Sequence, residues 1–342
     1  MNTRDILVIG ASAGGLQALT RLFSDMPAGF GPTVFLVQHV TPAGPSQLPQ
    51  LLERCRWLPA FHPEDGEPIR PAHIHVAPPD RHLLVRDGRV LVRRGPQENR
   101  TRPAIDPLFR SAAAAFATRV VGVVLTGMLD DGASGLHAIH RCGGLTVVQD
   151  PEDADWPSMP RNAIAHTPVD HVVAIDAMAA LLVRLGREPA PERPDIPPDI
   201  AIEARIAEKE LTTTAADTKK VGRPTTLVCP DCGGGLSEIA NSPVIHFRCQ
   251  VGHTYSAETM VQAQGEAMEK ALWVALRTHE ERIELFTRLA DHARSRGHDR
   301  VAASWGHQLA EARSNVDVLR RVLSQPEVKD ALPTAQPDGP PA

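Results

Sequence analysis

A chain of 342 residues with 36 Lys and Arg against 41 Asp and Glu carries a net charge of -5, its two signs interleaved, so no nucleic acid partner is expected. No apolar run is long enough to cross a bilayer, and the N-terminus enters a strand without a charged-then-apolar leader, which predicts a cytoplasmic protein with no direct membrane insertion. Five cysteines, three of them late in the chain, do not make a disulfide framework.

Ile6-Leu7-Val8-Ile9 predicts a buried strand, and the small residues Gly10 to Gly15 a tight turn into a helix beginning near Leu16. Read literally, Gly10-Ala11-Ser12-Ala13-Gly14 is a G-x-S-x-G nucleophile elbow, which lifts a serine oxygen to the crest of a sharp turn. The helix behind it aims its free N–H groups and positive dipole end at the same spot. The rival reading, a phosphate or dinucleotide cradle, lacks the G-x-G-x-x-G spacing and the P-loop lysine. The second strand, Thr33 to Gln38, also ends in His39 rather than in a ribose-binding acid.

Further along, Gln47 to Arg56 reads as a short helix and Ile74 to Ala77 as a short strand. Leu83 to Val85 and Val90 to Val92 form a hairpin through Asp87-Gly88. A helix over Pro107 to Ala117 and a buried strand over Val120 to Leu125 follow, then the loop Thr126 to Ala133 and a helix to Cys142. Strands at Leu145 to Val148 and Val172 to Ala174 and a helix at Ala177 to Leu185 complete the alternation. It specifies an α/β fold, a doubly wound and largely parallel sheet. Ligands of such sheets gather past the carboxyl ends of the strands, where Ser12, His39 and Asp131 all lie. They are the three chemical types of a hydrolytic triad: a hydroxyl nucleophile, an imidazole to take its proton, and a carboxylate to hold the ring. No cofactor is needed for that chemistry.

The order serine, histidine, acid differs from that of the α/β-hydrolases. With the strings Ile9-Gly10-Ala11-Ser12-Ala13-Gly14-Gly15, Val37-Gln38-His39 and Leu125-Thr126-Gly127-Met128 running to Asp131-Gly132-Ala133, the chain resembles the catalytic domain of chemotaxis protein-glutamate methylesterases, the CheB family. Val76-Ala77-Pro78-Pro79-Asp80-Arg81-His82-Leu83 and Arg102-Pro103-Ala104-Ile105-Asp106-Pro107-Leu108-Phe109 agree with it. The resemblance implies hydrolysis of glutamate γ-methyl esters, and deamidation of glutamine, on a methyl-accepting chemoreceptor-like protein. A glutamate methyltransferase and signalling-array proteins are the further implied partners. It makes Ser12 the nucleophile, His39 the base and then acid, Asp131 its partner, and the backbone N–H of Met128 the oxyanion donor, and it leaves Asp130 as a solvated neighbour. Ala13 stands where many relatives have a hydroxyl residue and Ala104 replaces a frequent serine; Trp156-Pro157 lies at the expected rim beside Met159-Pro160. The chain starts in the first catalytic strand, so the receiver domain usual in the family is expected to be absent. A catalytically weakened scaffold or binding protein in a signalling array is the alternative, and a hydrolase of small esters a second.

Residues 188–222 read as a linker, broken by five prolines from Pro189 to Pro198, with one helix at Ile200 to Leu211. Next come Cys229, Cys232, Cys249 and His253, spaced C-x2-C-x16-C-x3-H. Two knuckles of this kind close a tetrahedral zinc shell, and a stretch too short for its own core needs one. Four protein ligands leave no open position, so the zinc is expected to be structural; His246 is a spare ligand. The cysteine spacing resembles that of zinc ribbons. Beyond Ala257 the rhythm is helical: Met268, Leu272, Ala275, Ile283 and Phe286 make one stripe, and after Gly297 Val301, Trp305, Leu309, Ala312, Val316 and Leu319 make another. The two stripes are expected to bury one another in an α-helical hairpin. The expected organisation is a catalytic domain over 1–187, a linker over 188–222, a small zinc ribbon over 223–256, a helical hairpin over 257–325 and a disordered tail over 326–342.

Overall fold

A computed structural model of the protein describes residues 3–42, 44, 46–209, 222–240 and 242–324. The polar stretch Thr212 to Lys220 and the tail from Pro326 lie outside these. Contacts divide the chain into two units, Met1–Thr259 and Met260–Ala342.

The aliphatic runs of the first unit become seven strands of one parallel sheet: β1 (Ile6–Ala11), β2 (Thr33–Gln38), β3 (Ala60–Phe61), β4 (Ile74–Val76), β7 (Val120–Val124), β8 (Leu145–Gln149) and β9 (His171–Val173). Their order is β3-β4-β2-β1-β7-β8-β9. β1 has every residue buried because it pairs with β2 on one side and β7 on the other and is covered on both faces. One face packs against α1 (Gly15–Ser24), α2 (Leu48–Glu53) and α6 (Ile175–Arg187), through Leu19, Leu22, Phe23, Leu52 and Leu182. The other packs against α3 (Ile105–Phe116), α4 (Ala133–Arg141) and α5 (Ser158–His166), through Leu108, Phe109, Leu136, Ile139 and Met159. A separate hairpin, β5 (His82–Arg86) with β6 (Arg89–Arg93), adds Leu83 and Val90 to this second core. The chain leaves β1 toward β2 and later returns to β1's other edge as β7, so the carboxyl ends of β1, β2 and β7 flank a topological switch point.

Within the stretch read as a linker, α7 (Pro198–Glu208) lies on the second face, where Ile200 joins the core. A four-stranded antiparallel sheet follows: β10 (Gly222–Val228), β11 (Gly235–Ile239), β12 (His246–Cys249) and β13 (Thr254–Ser256). It is built against the first unit. Buried Arg248 of β12 sits 3.7 Å from Glu98 and 3.6 Å from Glu203 of α7, and Arg110 of α3 pairs with the same two carboxylates.

The last two helices, α8 (Ala257–Ser295) and α9 (Asp299–Ser324), form a hairpin that turns at Gly297, φ 73°. Phe286 stacks on Trp305 at 5.6 Å, and Arg320 donates to Glu280 at 2.8 Å. Phe286, Ala312 and Val316 are buried as the stripes require, but Met268 and Val301 are 59% and 50% exposed. Two helices cover only one narrow seam of each other, and Leu276 and Ala302 occupy it instead. Among the described residues no helix is long and apolar enough to cross a membrane.

Candidate active site

Ser12 follows the last residue of β1. Its backbone N–H donates to the Thr126 carbonyl at 3.0 Å, tying the turn after β1 to the loop after β7. The elbow expected from G-x-S-x-G differs in detail. The positive φ, 74°, falls on Gly14, which caps α1, and Ser12 is not among the residues of positive φ. The serine is therefore offered by a loop rather than by a strained nucleophile position. Gly127 permits this: a Cβ there would lie 2.8 Å from Ser12 Cβ and 2.7 Å from Met159 Cε. From the end of β2, Gln38 donates to the carbonyls of Ser12 at 2.7 Å and His39 at 3.0 Å, locking the two loops together.

His39 Nδ1 lies 3.0 Å from Ser12 Oγ, and His39 Nε2 lies 2.8 Å from Asp131 Oδ2. The ring thus meets the serine through Nδ1 and the carboxylate through Nε2, the reverse of the usual Ser-His-Asp assignment. Three residues from three loops are brought into one chain of hydrogen bonds. Asp131 is buried, and its oxygens are fully engaged. Oδ2 also accepts the Ile105 N–H at 2.7 Å, and Oδ1 accepts Asn99 Nδ2 at 2.9 Å and the Asp106 N–H at 3.2 Å. Burial alone would raise its pKa, but the bonds from His39, Ile105 and Asn99 outweigh burial and hold it below the usual carboxylate range. It stays charged, as an imidazole partner must. Asp106 moves the other way, raised well above its ordinary value by burial and by the charge of Asp131.

Met128 stands on the same loop with its side chain exposed, and its backbone N–H takes no partner among the described residues. Leu16, Met128 and Trp156 are the large exposed apolar side chains of the loops and first helical turn around Ser12. A cavity of about 300 Å³ is lined by Gln38 and Val40, the sequence neighbours of His39, and by Leu16, Leu48, Leu51 and Pro79 among others. Asp130, expected in solvent, is instead 4% exposed and accepts a 2.8 Å bond from Ser256 Oγ of β13. No local signal marks this burial, because the covering strand lies 126 residues away in sequence.

Cys229, Cys232, Cys249 and His253 converge, with one ligand atom from each lying within 4.8 Å of all the others. Cys232 Sγ is 3.7 Å from Cys249 Sγ, and His253 Nδ1 is 3.7 Å from Cys229 Sγ and 3.6 Å from Cys249 Sγ. Thiolates about 2.3 Å from a tetrahedral ion would stand about 3.8 Å apart, so the four fit a metal. Outside them, Tyr255 Oη lies 3.2 Å from Cys229 Sγ and donates to Asp231 at 2.6 Å, an outer support of the kind metal ligands require. His246 is no ligand. Its Nε2 lies 3.1 Å from Asn99 Oδ1, pointing at the triad. Sequence reasoning missed Asn99, which stands in a polar turn and gives no local signal beyond turn chemistry.

Comparison with known proteins matches residues 7–182 to the family model described as CheB methylesterase. A Leptospira interrogans relative, provisionally named protein-glutamate methylesterase/protein-glutamine glutaminase, is 37% identical over 190 residues, which are 55% of this chain and 98% of that one. The protein-glutamate methylesterase/protein-glutamine glutaminase of Yersinia pestis is 37% identical over 183 residues, 52% of each chain. The crystal structure of the Thermotoga maritima CheB methylesterase catalytic domain superposes with a TM-score of 0.50 at 30% identity, covering 53% of this chain and 98% of that one.

Proposed function

The chain belongs to the CheB methylesterase family, and from that premise we propose that it is a serine esterase removing γ-methyl groups from glutamates of a chemoreceptor-like protein, with deamidation of glutamine as a second reaction at such sites. The single observation that carries this is the unbroken relay from Ser12 Oγ through His39 to Asp131, at 3.0 and 2.8 Å.

In this reading the catalytic domain spans 1–187, with the linker, ribbon, helical hairpin and tail bounded as expected above. The Nδ1 lone pair of His39 takes the hydroxyl proton as Ser12 Oγ attacks the ester carbonyl, while Asp131 holds Nε2–H and stabilises the imidazolium that forms. The Met128 N–H, left unpaired, supports the carbonyl oxygen as its charge grows. His39 then returns the proton to the methoxy oxygen, and methanol leaves. Water, deprotonated by the same nitrogen, attacks the acyl-serine; His39 returns that proton to Ser12 Oγ as it leaves, and the glutamate released as the acid ionises to its carboxylate. Exposed Leu16, Met128 and Trp156 suit a substrate carried on a helix with an apolar flank. The Cys229, Cys232, Cys249 and His253 shell is read as a structural zinc site: four ligands leave no position for substrate, and what the ion supplies is local folding energy. A cytoplasmic location, alongside a methyltransferase and the signalling array, follows from this role.

Methanol release from a methylated receptor tests the reading. Ser12→Ala is expected to lower kcat about a millionfold. Release that survives this change, or no release from the wild type, would overturn it.

A further inference from the structure

Nothing in the ester chemistry requires the antiparallel sheet that follows α7, yet a side chain of that sheet ends two hydrogen bonds away from the carboxylate behind His39. Asn99 is the joint. Its Nδ2 donates to Asp131 Oδ1 and to Asp106 Oδ2, each at 2.9 Å, and its Oδ1 faces His246 Nε2 at 3.1 Å. An amide flipped by a half turn would set its oxygen against the charged Asp131 carboxylate. A ring N–H at Oδ1 adds a second restraint, holding the amide oxygen from the side that faces away from Asp131. His246 is buried, and burial with the nearby Arg110 charge lowers its pKa to about 4. The ring is then neutral, carries one N–H, and needs it at Nε2.

The backbone under Asn99 has the same dependence. Asn99 and Arg100 sit at φ 49° and 62°, a left-handed pair that side chains adopt only when held. The hold comes from β13: Asn99 N–H donates to the Thr254 carbonyl at 3.0 Å, and Thr254 N–H to the Gln97 carbonyl at 3.2 Å. Glu98, between them, is buried against Arg110 and Arg248, and Gly252 of the Cys249 to His253 knuckle abuts Pro96.

We propose that His246 is a positioning residue for the active site, by which the cysteine-rich sheet fixes the Asn99 amide and through it Asp131. The inference rests on the esterase reading of Ser12, His39 and Asp131. The sheet is thereby a missing wall of the catalytic site, supplied by a segment beyond the region matched to the family.

The test uses the full chain and two readouts: kcat and KM for an ester, and the low-field proton resonance of the His39 N–H bonded to Asp131. The esters are the methylated receptor and p-nitrophenyl acetate. His246→Gln keeps an N–H at the Nε2 position; His246→Asn keeps polarity but falls short of Asn99. His246→Asn and His246→Ala are expected to lower kcat about tenfold to a hundredfold with KM within about twofold. Both should shift or broaden the resonance, and His246→Gln should restore most of kcat and the signal. If the alanine variant loses its fold, the Gln and Asn pair decides alone. Unchanged kcat and resonance in His246→Asn, or a loss shared equally by His246→Gln, would overturn the proposal. If the wild type ignores the receptor while acetate turnover and the resonance still follow His246, the receptor reading has failed and the positioning role stands.

Discussion

Ser12, His39 and Asp131 are held by contacts that leave little slack, and two single residues measure it. A Cβ at Gly127 would press on Ser12 Cβ at 2.8 Å and on Met159 at 2.7 Å. Gly127→Ala must therefore move Ser12 or its loop, and on the esterase reading proposed above a displacement of about 1 Å costs about a hundredfold. The expected outcome is a kcat lowered by about that factor with the melting temperature little changed, because the clash is met by a loop. Asp130 makes a different prediction. Burial raises it to about 7 against the bond from Ser256, with the charges of Glu258 and Asp131 adding to the rise. Unfolded, it titrates near 3.8. Between these values the folded protein holds a proton that the unfolded chain has released. Its stabilising contribution is full below about pH 4 and is lost as pH rises through 7, with a slope of at most about 1.4 kcal/mol per pH unit. The stability of wild type minus that of Asp130→Asn should fall across this window in denaturation curves. Taking the difference matters, since His246, lowered to about 4, drives stability the opposite way over much of the same range. Parallel curves would mean that Asp130 stays ionised.

At the scale of elements, β12 and α3 are joined by charge. Arg248 and Arg110, both buried, share Glu98 and Glu203, and the two arginines hold Glu98 at about 2 despite its burial. Arg248→Met would leave the carboxylates undercompensated, and breaking a buried pair costs about 3 to 5 kcal/mol. Urea denaturation of the full chain should show the unit Met1–Thr259 destabilised by about that amount. A loss under about 1 kcal/mol would mean that Arg110 neutralises both acids by itself. None of this network was legible in the sequence, although the strands were. β1, β2 and β7 could be read because a doubly buried parallel strand is an uninterrupted aliphatic run, and the elements between them follow the helical period. Ser12, His39 and Asp131 could be placed on one rim because each lies past the carboxyl end of such a run. Arg110 and Arg248 sit 138 residues apart in elements whose local pattern is ordinary, and no periodicity marks a charge that another strand will bury. Met268 and Val301 erred in the converse sense: their apolar rhythm is real, but each is exposed on its helix.

For the unit Met1–Thr259 as a whole, the cysteine spacing announced four side chains that could hold a metal ion, yet not where that cluster would be anchored. Pairing of Gln97 and Asn99 with Thr254 is a contact between segments more than 150 residues apart, made by backbone groups that every residue carries. The anchoring has a consequence for metal removal. The knuckle from Cys249 to His253 closes through Cys249 N–H to the His253 carbonyl at 3.0 Å and runs straight into β13. Without an ion the four ligands lose what gathers them, since thiols and imidazole do not attract one another as thiolates attract a cation. β13 then loosens, and the left-handed turn at Asn99 with it. Chelation under reducing conditions is expected to lower kcat about tenfold or more while the parallel sheet, whose core is separate, keeps its far-UV signal, and added zinc should restore the rate. Sites that act through one link are not additive. In His246→Ala, where one of the two holds on Asn99 is already gone, chelation should therefore lower kcat less than in the wild type. Equal losses in the two proteins would show that the ion acts on turnover by a route that bypasses Asn99.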